Sequence, residues 1–420
     1  MIKFRCSVFI LTLGLSLCLH AQSSVKVMFY NLLNYPTETI FPERDSDLEA
    51  ILSDYQPDLF LVCELNNETG ADNLLTITQN AIRPEYAMAN FVTNSSDDLT
   101  GDNNELQNML YYDSTKFILE NQTEITTLVR DFNHYKLKLN TVNQEFDPII
   151  LDVIVCHLKA ATGPSNENIR FQMVQDLVAY LDTLPEDSHI ILGGDLNLYS
   201  AFESAFQELL DVTNHITFAD PPNRVGVWSN NLDFLDVFTQ STRTMSNLGG
   251  AAGGFDDRFD FILTSENMLN NADLYYVEDS YQVFGNNNNP DCYNRAINSG
   301  DCSGPEFSLA IRQSLHNFSD HLPVTLTLET PQLLSISEID QKTAFSLNKT
   351  LILNGTIQIQ HKNTAIQEFK IINQLGQVVH IFSADASGNT TANLNFLTSG
   401  VYTLVVPSSS NKVIKFILSN

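Results

Sequence analysis

Short apolar runs, each ending in polar or charged residues, recur along the first three quarters of the chain. They have the length and the β-branched and aromatic content of strands, and amphipathic segments such as 47–52 and 168–184 lie between them. This alternation predicts one large α/β domain in which residues at strand ends line a common edge of a sheet. The runs read VKVMFYNLL, PDLFLVCEL, NMLYYDS, PIILDVIVCHL, HIILGGDLN and RFDFILTS.

The segment 168–184 shows the helical pattern most clearly. Its apolar residues recur three and four positions apart, which predicts a helix with one buried face, and Pro185 closes the stretch. We expect that face to serve the core and to carry no chemistry. Its members are Phe171, Val174, Leu177, Val178 and Leu181.

Charge divides the chain into two regions. Residues 22–330 carry 14 Lys and Arg against 46 Asp and Glu, whereas residues 331–420 carry 6 against 4. The net charge of −28 for the whole chain excludes a protein that coats nucleic acid by neutralising phosphates, because that binding requires clustered Lys and Arg. After residue 330, strand-like strings such as ILNGTIQIQ and GVYTLVV are separated by Asn, Gly and Ser turns. We therefore predict an α/β domain over 22–330, a linker over 331–340 and a small antiparallel β-sandwich over 341–420.

The N-terminal residues have the pattern of a signal peptide. Lys3 and Arg5 precede the apolar run 8–19, and Ala21 is a small residue suited to cleavage. The run is shorter than the roughly 20 residues that span a membrane, and no second run of this kind follows. We predict a signal peptide over 1–21, export, and no stable membrane insertion.

Four cysteines follow the predicted signal peptide. Cys292 and Cys302 flank an Asn-rich loop that a short disulfide would stabilise in an oxidising compartment. Cys63 and Cys156 lie inside apolar runs, so we expect them to be buried as small apolar side chains.

Asn31 and Glu64 stand near the ends of the first two runs. A carboxylate that emerges from a buried strand costs free energy unless it is paired or binds a cation. Oxygen ligands from Glu and Asn suit Mg²⁺, Mn²⁺ or Ca²⁺. The alternative for either residue is a strand-end polar group that caps a neighbouring loop.

Two further strand ends carry groups suited to acid–base chemistry. His157 closes the most apolar run, where it could donate to a phosphate oxygen or exchange a proton, or could be a hydrogen-bonded core histidine. Asp195 and Asn197 share one side of an extended chain. An Asp that accepts a proton from water, oriented by a neighbouring Asn, is what hydrolysis requires.

The segments DDRFDFILTS and SDHLPV add three titratable groups. Asp260 enters the strand of the first segment. In the second, Asp320 directly precedes His321, and Pro323 fixes the turn into the next strand. Adjacent Asp and His side chains can hold each other's protonation state, although many such pairs in exposed loops have no function.

In this order, VMFYNLLNYP, DLFLVCELN, CHLKA, GGDLNLYS, DRFDFILTS and SDHLPV resemble the motif series of the endonuclease/exonuclease/phosphatase superfamily, the pancreatic-deoxyribonuclease-like fold. The resemblance spans nearly all of residues 22–330, and GDLN and SDHLPV are its most specific parts. It implies a four-layer α/β sandwich, with two packed mixed β-sheets between helices, that hydrolyses phosphate esters with a divalent cation.

The resemblance implies a secreted phosphodiesterase, foremost an endonuclease that cleaves extracellular DNA or RNA without sequence preference. One alternative keeps the site but changes the substrate to phospholipid head groups or small phosphate esters. Another is a cell-surface binding protein that has lost catalysis.

The resemblance also assigns the cation and substrate contacts. Glu64 would be the principal ligand of Mg²⁺, with Mn²⁺ or Ca²⁺ as alternatives, and Asn31 and Asp320 would lie nearby. His157 and His321 would bind and neutralise the scissile phosphate.

The remaining implied roles concern the attacking water and the histidines. Asp195 would activate or orient the water with the help of Asn197, which would also contact substrate, as would Asn31. Asp260 matches the acidic residue of the family's R-x-D-[YF]-I segment, and Asp320 would orient His321.

One strand departs from the deoxyribonuclease pattern. That branch carries a carboxylate on the strand matching NMLYYDS, where it pairs with the first catalytic histidine, whereas Gln107 and Asn108 stand near that place here. The departure weakens the identification with a deoxyribonuclease and leaves the reaction class intact.

The C-terminal region has a resemblance of its own. FKIINQLGQVV, LTSGVYTLVV and the terminal KVIKFIL resemble the sorting domain of bacterial proteins exported by the type IX secretion route. This implies the type IX machinery as a partner and a secreted or cell-surface location.

Overall fold

The chain divides into two units after Leu334. The computed structural model describes residues 23–97, 106–142, 144–334, 345–347, 349–353, 355–361, 368–385, 387–405 and 413–419. The predicted signal peptide 1–21 lies outside these residues, as does the part of the predicted linker beyond residue 334.

Strands and helices alternate in the first unit as the sequence pattern predicts. Its described strands are β1 (Ser23–Tyr35), β2 (Leu59–Leu65), β3 (Tyr86–Met88), β4 (Gln107–Asp113), β5 (Phe117–Ile125), β6 (Phe132–Leu139), β7 (Ile150–His157), β8 (Ile190–Asp195), β9 (Phe218–Ala219), β10 (Asp260–Ser265), β11 (Tyr275–Tyr276), β12 (Gln282–Val283) and β13 (Val324–Thr330). Its described α-helices are α1 (Arg44–Tyr55), α2 (Glu68–Ala81), α3 (Pro164–Leu181), α4 (Ser204–Leu209) and α5 (Leu309–Phe318).

The strands form two mixed sheets. The first has the order β11-β13-β1-β2-β4-β3, with β12 also paired to β13, and the second has the order β5-β6-β7-β8-β10-β9. Each contains a parallel pair, β1 with β2 and β7 with β8, while the other described pairings are antiparallel. A parallel pair requires a crossover connection, and α1 and α3 lie in these two crossovers.

Helices cover the outer face of each sheet. Apolar residues of α1, α2 and α5 pack with the first sheet, and those of α3 and α4 pack with the second. Strand β7 shows the layering, because Val153 and Val155 join the core of the first cluster while Ile154 and Cys156 join the core beneath α3. A strand buried on both faces requires apolar residues in both alternating sets, as in its sequence. The predicted four-layer α/β sandwich is confirmed.

The one tryptophan of the chain lies in the outer layer of the second sheet. Trp228 is fully buried, and its ring meets Phe206 and Phe261 edge-on at centroid distances of 5.2 and 5.4 Å. Its indole N–H donates to the carbonyl oxygen of Arg224 at 2.7 Å. The polar end of this large side chain is therefore satisfied within the apolar layer.

A disulfide closes the Asn-rich loop. Cys292 and Cys302 are bonded, and short 3-10 turns hold both cysteines. Cys63 and Cys156 are free and buried, as their apolar surroundings predict.

The second unit is a small β-sandwich. Its described strands are β14 (Phe345–Leu347), β15 (Leu351–Ile352), β16 (Thr356–His361), β17 (Glu368–Ile372), β18 (Val378–Ser383), β19 (Asn389–Asn393), β20 (Gly400–Val405) and β21 (Val413–Leu418). They form sheets of order β14-β16-β19 and β15-β21-β20-β17-β18, and both sheets contribute to one apolar core. The predicted antiparallel pairing holds except between β15 and β21, which run parallel.

Candidate active site

The candidate site lies where strands of both sheets end. Asn31 ends the regular pairing of β1 with β2, and Glu64 is the next-to-last residue of β2. His157 and Asp195 are the paired last residues of β7 and β8. Parallel neighbours end at the same edge of a sheet, so each parallel pair presents two functional side chains there.

Two antiparallel strands begin at the same edge and add further groups. Asp260 is the first residue of β10 and lies opposite Asp195, while His321 shortly precedes β13. The start of β10 is fixed by Arg258, which is fully buried and donates to both carboxylate oxygens of Asp220 at 2.9 and 2.6 Å. This pairing offsets the cost of burying both charges.

Asp195 is at the centre of the cluster. Its Oδ2 accepts a hydrogen bond from Asn31 Nδ2 at 3.0 Å and lies 3.5 Å from His157 Nε2 and 3.8 Å from His321 Nε2. Its Oδ1 accepts from the backbone N–H of Asn197 at 3.0 Å. Burial raises the pKa of Asp195 to about 7, and nearby carboxylates add to this although His321 opposes it.

Glu64 occupies a bulge in β2. Its Oε1 accepts from Asn31 Nδ2 at 3.0 Å, its Oε2 accepts from the Asn34 backbone N–H at 3.1 Å, and Oε1 lies 4.0 Å from His157 Nε2. Its φ of 58° is in the left-handed region, which costs a non-glycine residue free energy and is typical of functional sites. Burial, together with the charge of Asp320, raises the pKa of Glu64.

His321 is held by Asp260. Its Nδ1 lies 2.7 Å from Asp260 Oδ2, and its Nε2 lies 2.5 Å from the amide nitrogen of Gln240. Burial opposes protonation of the ring, but the carboxylates of Asp260 and Asp320 outweigh it and raise the pKa of His321 well above its ordinary value. Asp260 therefore favours a cationic His321 whose Nε2 faces the cluster.

The Asp320 carboxylate makes its hydrogen bonds with partners other than the His321 ring. Its Oδ2 accepts from the backbone N–H of Ala251 at 2.6 Å and from Gln240 Nε2 at 3.2 Å, and its Oδ1 is buried without a hydrogen-bond partner. Within the described residues no hydrogen bond joins Asp320 to His321. The ring nitrogen Nδ1 of His321 contacts Asp260 instead, which begins β10 in the other sheet.

His157 is fully enclosed and differs from His321 in its surroundings. Its Nδ1 has no hydrogen-bond partner in the described structure. Burial, reinforced by the charge of Arg130, lowers the pKa of His157 well below its ordinary value. The side chain of Asn108 donates instead to Asp131, Asn133 and Val155, so it does not replace the missing carboxylate.

Asn197 completes the turn after β8. It is buried, has a φ of 51°, and its side-chain amide donates to the carbonyl oxygen of Leu158 at 3.3 Å. The bond ties the GDLN segment to the residue that follows His157. Asn197 therefore fixes the Asp195 carboxylate through its backbone and holds the two strand ends together through its side chain.

Two groups of converging ligand atoms could hold a divalent cation. Glu64, His157 and Asp195 form one, Asp195, Asp260 and His321 form the other, and the atoms of each lie within 4.8 Å of one another. Asp320 belongs to neither group. Burial and neighbouring carboxylates raise the pKa of Glu64 and of Asp195, and a bound cation would offset both effects by favouring the charged form. The oxygen-rich set of donors suits Mg²⁺ or Mn²⁺.

Sequence reasoning missed two residues of this region. Arg130, which precedes β6, donates to the carbonyl oxygens of His157 and Leu158 at 3.3 and 2.8 Å, and its charge bears on Glu64 and Asp195. Gln240 donates from its amide nitrogen to Asp320 Oδ2 at 3.2 Å and lies against the His321 ring. Neither stands in a motif; the one signal was that Arg130 is a cation in a strongly acidic region.

The second unit matches a family of known domains. Residues 353–420 match the family model described as a secretion system C-terminal sorting domain. The second unit is a sorting domain. The match confirms the resemblance of the terminal strings, and the sorting domain indicates secretion or a cell-surface location. Among the residues that the structure describes, no helix is both long and apolar enough to cross a membrane.

Beyond the sorting domain, the chain is similar to several solved structures. The catalytic domain of human nocturnin with bound sulfate is 16% identical, covers 73% of this chain and 97% of its own, and has a TM-score of 0.45. TDP2 from D. rerio with a single-strand DNA product is 17% identical, with coverages of 73% and 100% and a TM-score of 0.46. An endonuclease/exonuclease/phosphatase from Bacteroides vulgatus is 13% identical, with coverages of 73% and 99% and a TM-score of 0.46.

These structures transfer neither a substrate nor a mechanism at such identities and scores. A search of curated proteins finds no match.

Proposed function

We propose that residues 23–334 form a divalent-metal-dependent phosphoesterase of the endonuclease/exonuclease/phosphatase superfamily, and that the exported enzyme cleaves phosphodiester bonds of DNA or RNA. The observation that carries the proposal is the meeting of two histidines and three carboxylates from both sheets at one edge. Its members are Glu64, His157, Asp195, Asp260 and His321. Burying such charges costs free energy unless they are paired or bind a cation, and clusters of buried titratable groups with shifted pKa values are typical of functional sites.

Glu64 would be the principal ligand of the cation. The hydrogen bonds from Asn31 and Asn34 orient its two oxygens, and 14% of its side chain remains exposed, so a ligand can reach it. A bound Mg²⁺ would supply a Lewis acid for the charge that develops on the phosphate oxygens.

Asp195 is the group placed to accept a proton from the attacking water. With a pKa of about 7, Asp195 is a stronger base than a surface Asp. A general base is most effective when its pKa lies near the operating pH. The Asn197 N–H fixes one oxygen and leaves Oδ2 directed at the two histidine Nε2 atoms. A water molecule that donates a hydrogen bond to Oδ2 can be deprotonated and aimed at phosphorus.

The two histidines serve the phosphate differently. His321, kept cationic by Asp260, donates from Nε2 to a phosphate oxygen and stabilises the negative charge of the transition state. His157, kept neutral by burial, contributes a directional hydrogen bond. Arg130 lies behind the His157 backbone and adds positive charge to an acidic surface.

A second candidate is hydrolysis of phospholipid head groups at the same site. Phe202 and Val227 are 68% and 50% exposed, and the backbone N–H of Ala201 donates to Gly226, which holds their two segments together. Phe202 lies five positions after Asn197 in the chain. Exposed apolar side chains close in sequence to a site residue favour a substrate with an apolar body.

The test is hydrolysis by the purified full chain of plasmid DNA, RNA, sphingomyelin and a bis-aryl phosphodiester. Each is assayed with Mg²⁺, Mn²⁺ or Ca²⁺ and with chelator. Chelator-sensitive cleavage of DNA or RNA supports the nuclease proposal, and turnover confined to sphingomyelin supports the second candidate. No turnover with any ion contradicts both and favours a non-catalytic binding protein.

The decisive variant is Asp195→Asn. Loss of the proton acceptor is expected to lower kcat by about 10²- to 10⁴-fold while the circular dichroism melt stays cooperative. Asp187→Asn is the matched control, because that exposed carboxylate precedes the opposite end of β8. Unchanged turnover in Asp195→Asn would remove the role assigned to it.

A further inference from the structure

The Asp320 carboxylate is enclosed by a glycine-rich loop, residues 248–255, which reads LGGAAGGF. Only 3% of the residue is exposed. The backbone N–H of Ala251 donates to its Oδ2 at 2.6 Å, and the carbonyl oxygen of the same residue accepts from Ser241 Oγ at 2.9 Å. Ala251 is thus held on both sides, with its N–H directed at the carboxylate.

Gly250 makes this approach possible. Its φ is +63°, and a Cβ built there would lie 2.5 Å from Asp320 Cγ and Oδ2. Carbon atoms do not approach a carboxylate so closely, so any side chain at this position would displace Asp320 or the loop. Gly253 also has a positive φ, +133°, yet a Cβ there would meet nothing within 4 Å.

The side chain of Arg243 holds the start of the loop in place. Arg243 is fully buried and donates from Nη1 to the carbonyl oxygens of Leu248 and Gly249 at 2.9 and 3.2 Å. The same guanidinium also donates to the carbonyl oxygens of His316 and Asn317, which lie in the last turn of α5 shortly before Asp320. One arginine therefore holds the loop and the chain segment that leads to the carboxylate.

The contact determines which oxygen of Asp320 remains available. Oδ2 accepts from Ala251 and from Gln240, whose amide nitrogen also lies 2.5 Å from His321 Nε2. Oδ1 is buried and has no partner in the described structure. A buried carboxylate oxygen without a donor is costly unless a ligand completes it.

We propose that Gly250 is a positioning residue, which lets the loop close on Asp320 so that Oδ2 is occupied and Oδ1 is left for the bound cation or its water. This role rests on the proposed phosphoesterase function. It gives the LGGAAGGF stretch a task in the site, because the backbone of this stretch occupies one oxygen of Asp320.

The test is a cycle of Gly250→Ala, Asp320→Ala and the double variant in the full chain, with Gly253→Ala as the control. Mn²⁺ affinity is measured by the electron paramagnetic resonance signal of the free ion, and kcat and KM are measured on whichever phosphoester the wild type cleaves. Gly250→Ala is expected to weaken Mn²⁺ binding and to lower kcat by about 10- to 100-fold, the usual effect of losing a group that orients a metal site. Gly253→Ala is expected to stay within about twofold, although its φ disfavours alanine more strongly.

The double variant separates positioning from general strain. Once Asp320 is alanine, the added Cβ meets no carboxylate, so Gly250→Ala is expected to change Mn²⁺ affinity and kcat by less than about twofold. If Gly250→Ala alone fails to fold, recovery of a cooperative melt in the double variant supports the contact. The proposal is overturned if the substitution has the same effect with and without the Asp320 carboxylate, or if Gly253→Ala does equal damage.

Failure of this proposal is distinguishable from failure of the proposed function. A wild-type chain that binds Mn²⁺ but cleaves no phosphoester contradicts the function, and the affinity cycle still decides the role of Gly250. A wild-type chain that neither binds Mn²⁺ nor cleaves any substrate overturns both.

Discussion

At the scale of single residues, the site depends on which carboxylate each histidine meets. The pairing of His321 with Asp260 at 2.7 Å has a counterpart elsewhere in the second sheet, where His134 Nε2 lies 2.8 Å from Asp152 Oδ1. Both aspartates are buried. The other ring nitrogen of His134 contacts the Tyr180 hydroxyl, whereas that of His321 faces the site. The same chemical pair is thus placed once in the site and once outside it.

This duplication gives a controlled test of Asp260. Asp260→Asn removes the charge that keeps His321 cationic, so kcat is expected to fall by at least about 10²-fold with a smaller change in KM. Asp152→Asn makes the same change in a buried pair outside the site and is expected to leave kcat within about twofold. Equal losses in the two variants would show that the effect of Asp260 is on folding.

Asp256 gives a prediction for the dependence of stability on pH. Burial, with the charge of Asp257, raises the pKa of Asp256 to about 6 in the folded chain. Because the folded state binds this proton more tightly than the unfolded state does, the contribution is stabilising below the ordinary carboxyl pKa near 4 and is lost as the pH rises through 6. Asp256→Asn is therefore expected to raise Tm at pH 7.5 and to have little effect at pH 4. A variant that melts at the wild-type temperature at pH 7.5 would contradict this.

At the scale of elements, the sequence predicts the strands and their functional ends well. Runs such as 148–158 alternate apolar residues on two buried faces, and both sets pack in the structure. The helix predicted over 168–184 exists but begins earlier, at Pro164, and ends at Leu181. Its buried face includes Arg170 and Met173. Arg170 can be buried there because Glu203, on a later segment of the chain, accepts a hydrogen bond from its guanidinium at 2.6 Å.

The partners within the site could not be predicted in the same way. The contact of His321 with Asp260 joins the segment before β13 to the start of β10 in the other sheet, so it depends on how the two sheets pack. The enclosure of Asp320 likewise depends on a loop some 70 positions away in the chain, bonded through the backbone of Ala251. Local patterns identify residue types at strand ends, whereas the choice among nearby partners is made by tertiary packing.

The disulfide between Cys292 and Cys302 is predicted to stabilise the loop 292–302, whose backbone forms hydrogen bonds with Thr242 and Phe255. The bridge closes a loop with a sequence separation of 10, for which chain entropy gives about 2–3 kcal/mol. Replacing both cysteines with serine is expected to lower the free energy of unfolding by that amount, measured by urea denaturation. Insensitivity of the wild type to reductant, with an unchanged denaturation midpoint, would contradict the prediction.

At the scale of the whole molecule, charge sets the conditions under which a polyanionic substrate can bind. A chain of net charge −28 repels nucleic acid at long range, and only a cation with a few groups such as Arg130 offers local attraction. Salt screens that repulsion, since the Debye length falls from about 30 Å at 0.01 M to about 8 Å at 0.15 M.

The expected result is a KM for plasmid DNA that falls as ionic strength rises from about 0.01 to 0.15 M at constant Mg²⁺. The reason is that screening weakens the overall repulsion more than the short contacts within the site. The bis-aryl diester, with a single charge, is the control substrate and is expected to show a much smaller change. A KM that rises with salt, as for basic nucleases, would contradict the prediction.

The burial of Trp228 gives the molecule an internal optical reporter. Because the chain has one tryptophan and its indole sits among Phe206 and Phe261 in the outer layer of the second sheet, its emission responds when water enters that layer. The sorting domain contains no tryptophan, so its unfolding does not directly change the tryptophan emission. A single fluorescence trace thus follows the α/β unit within the intact chain, without a label and without separating the two units.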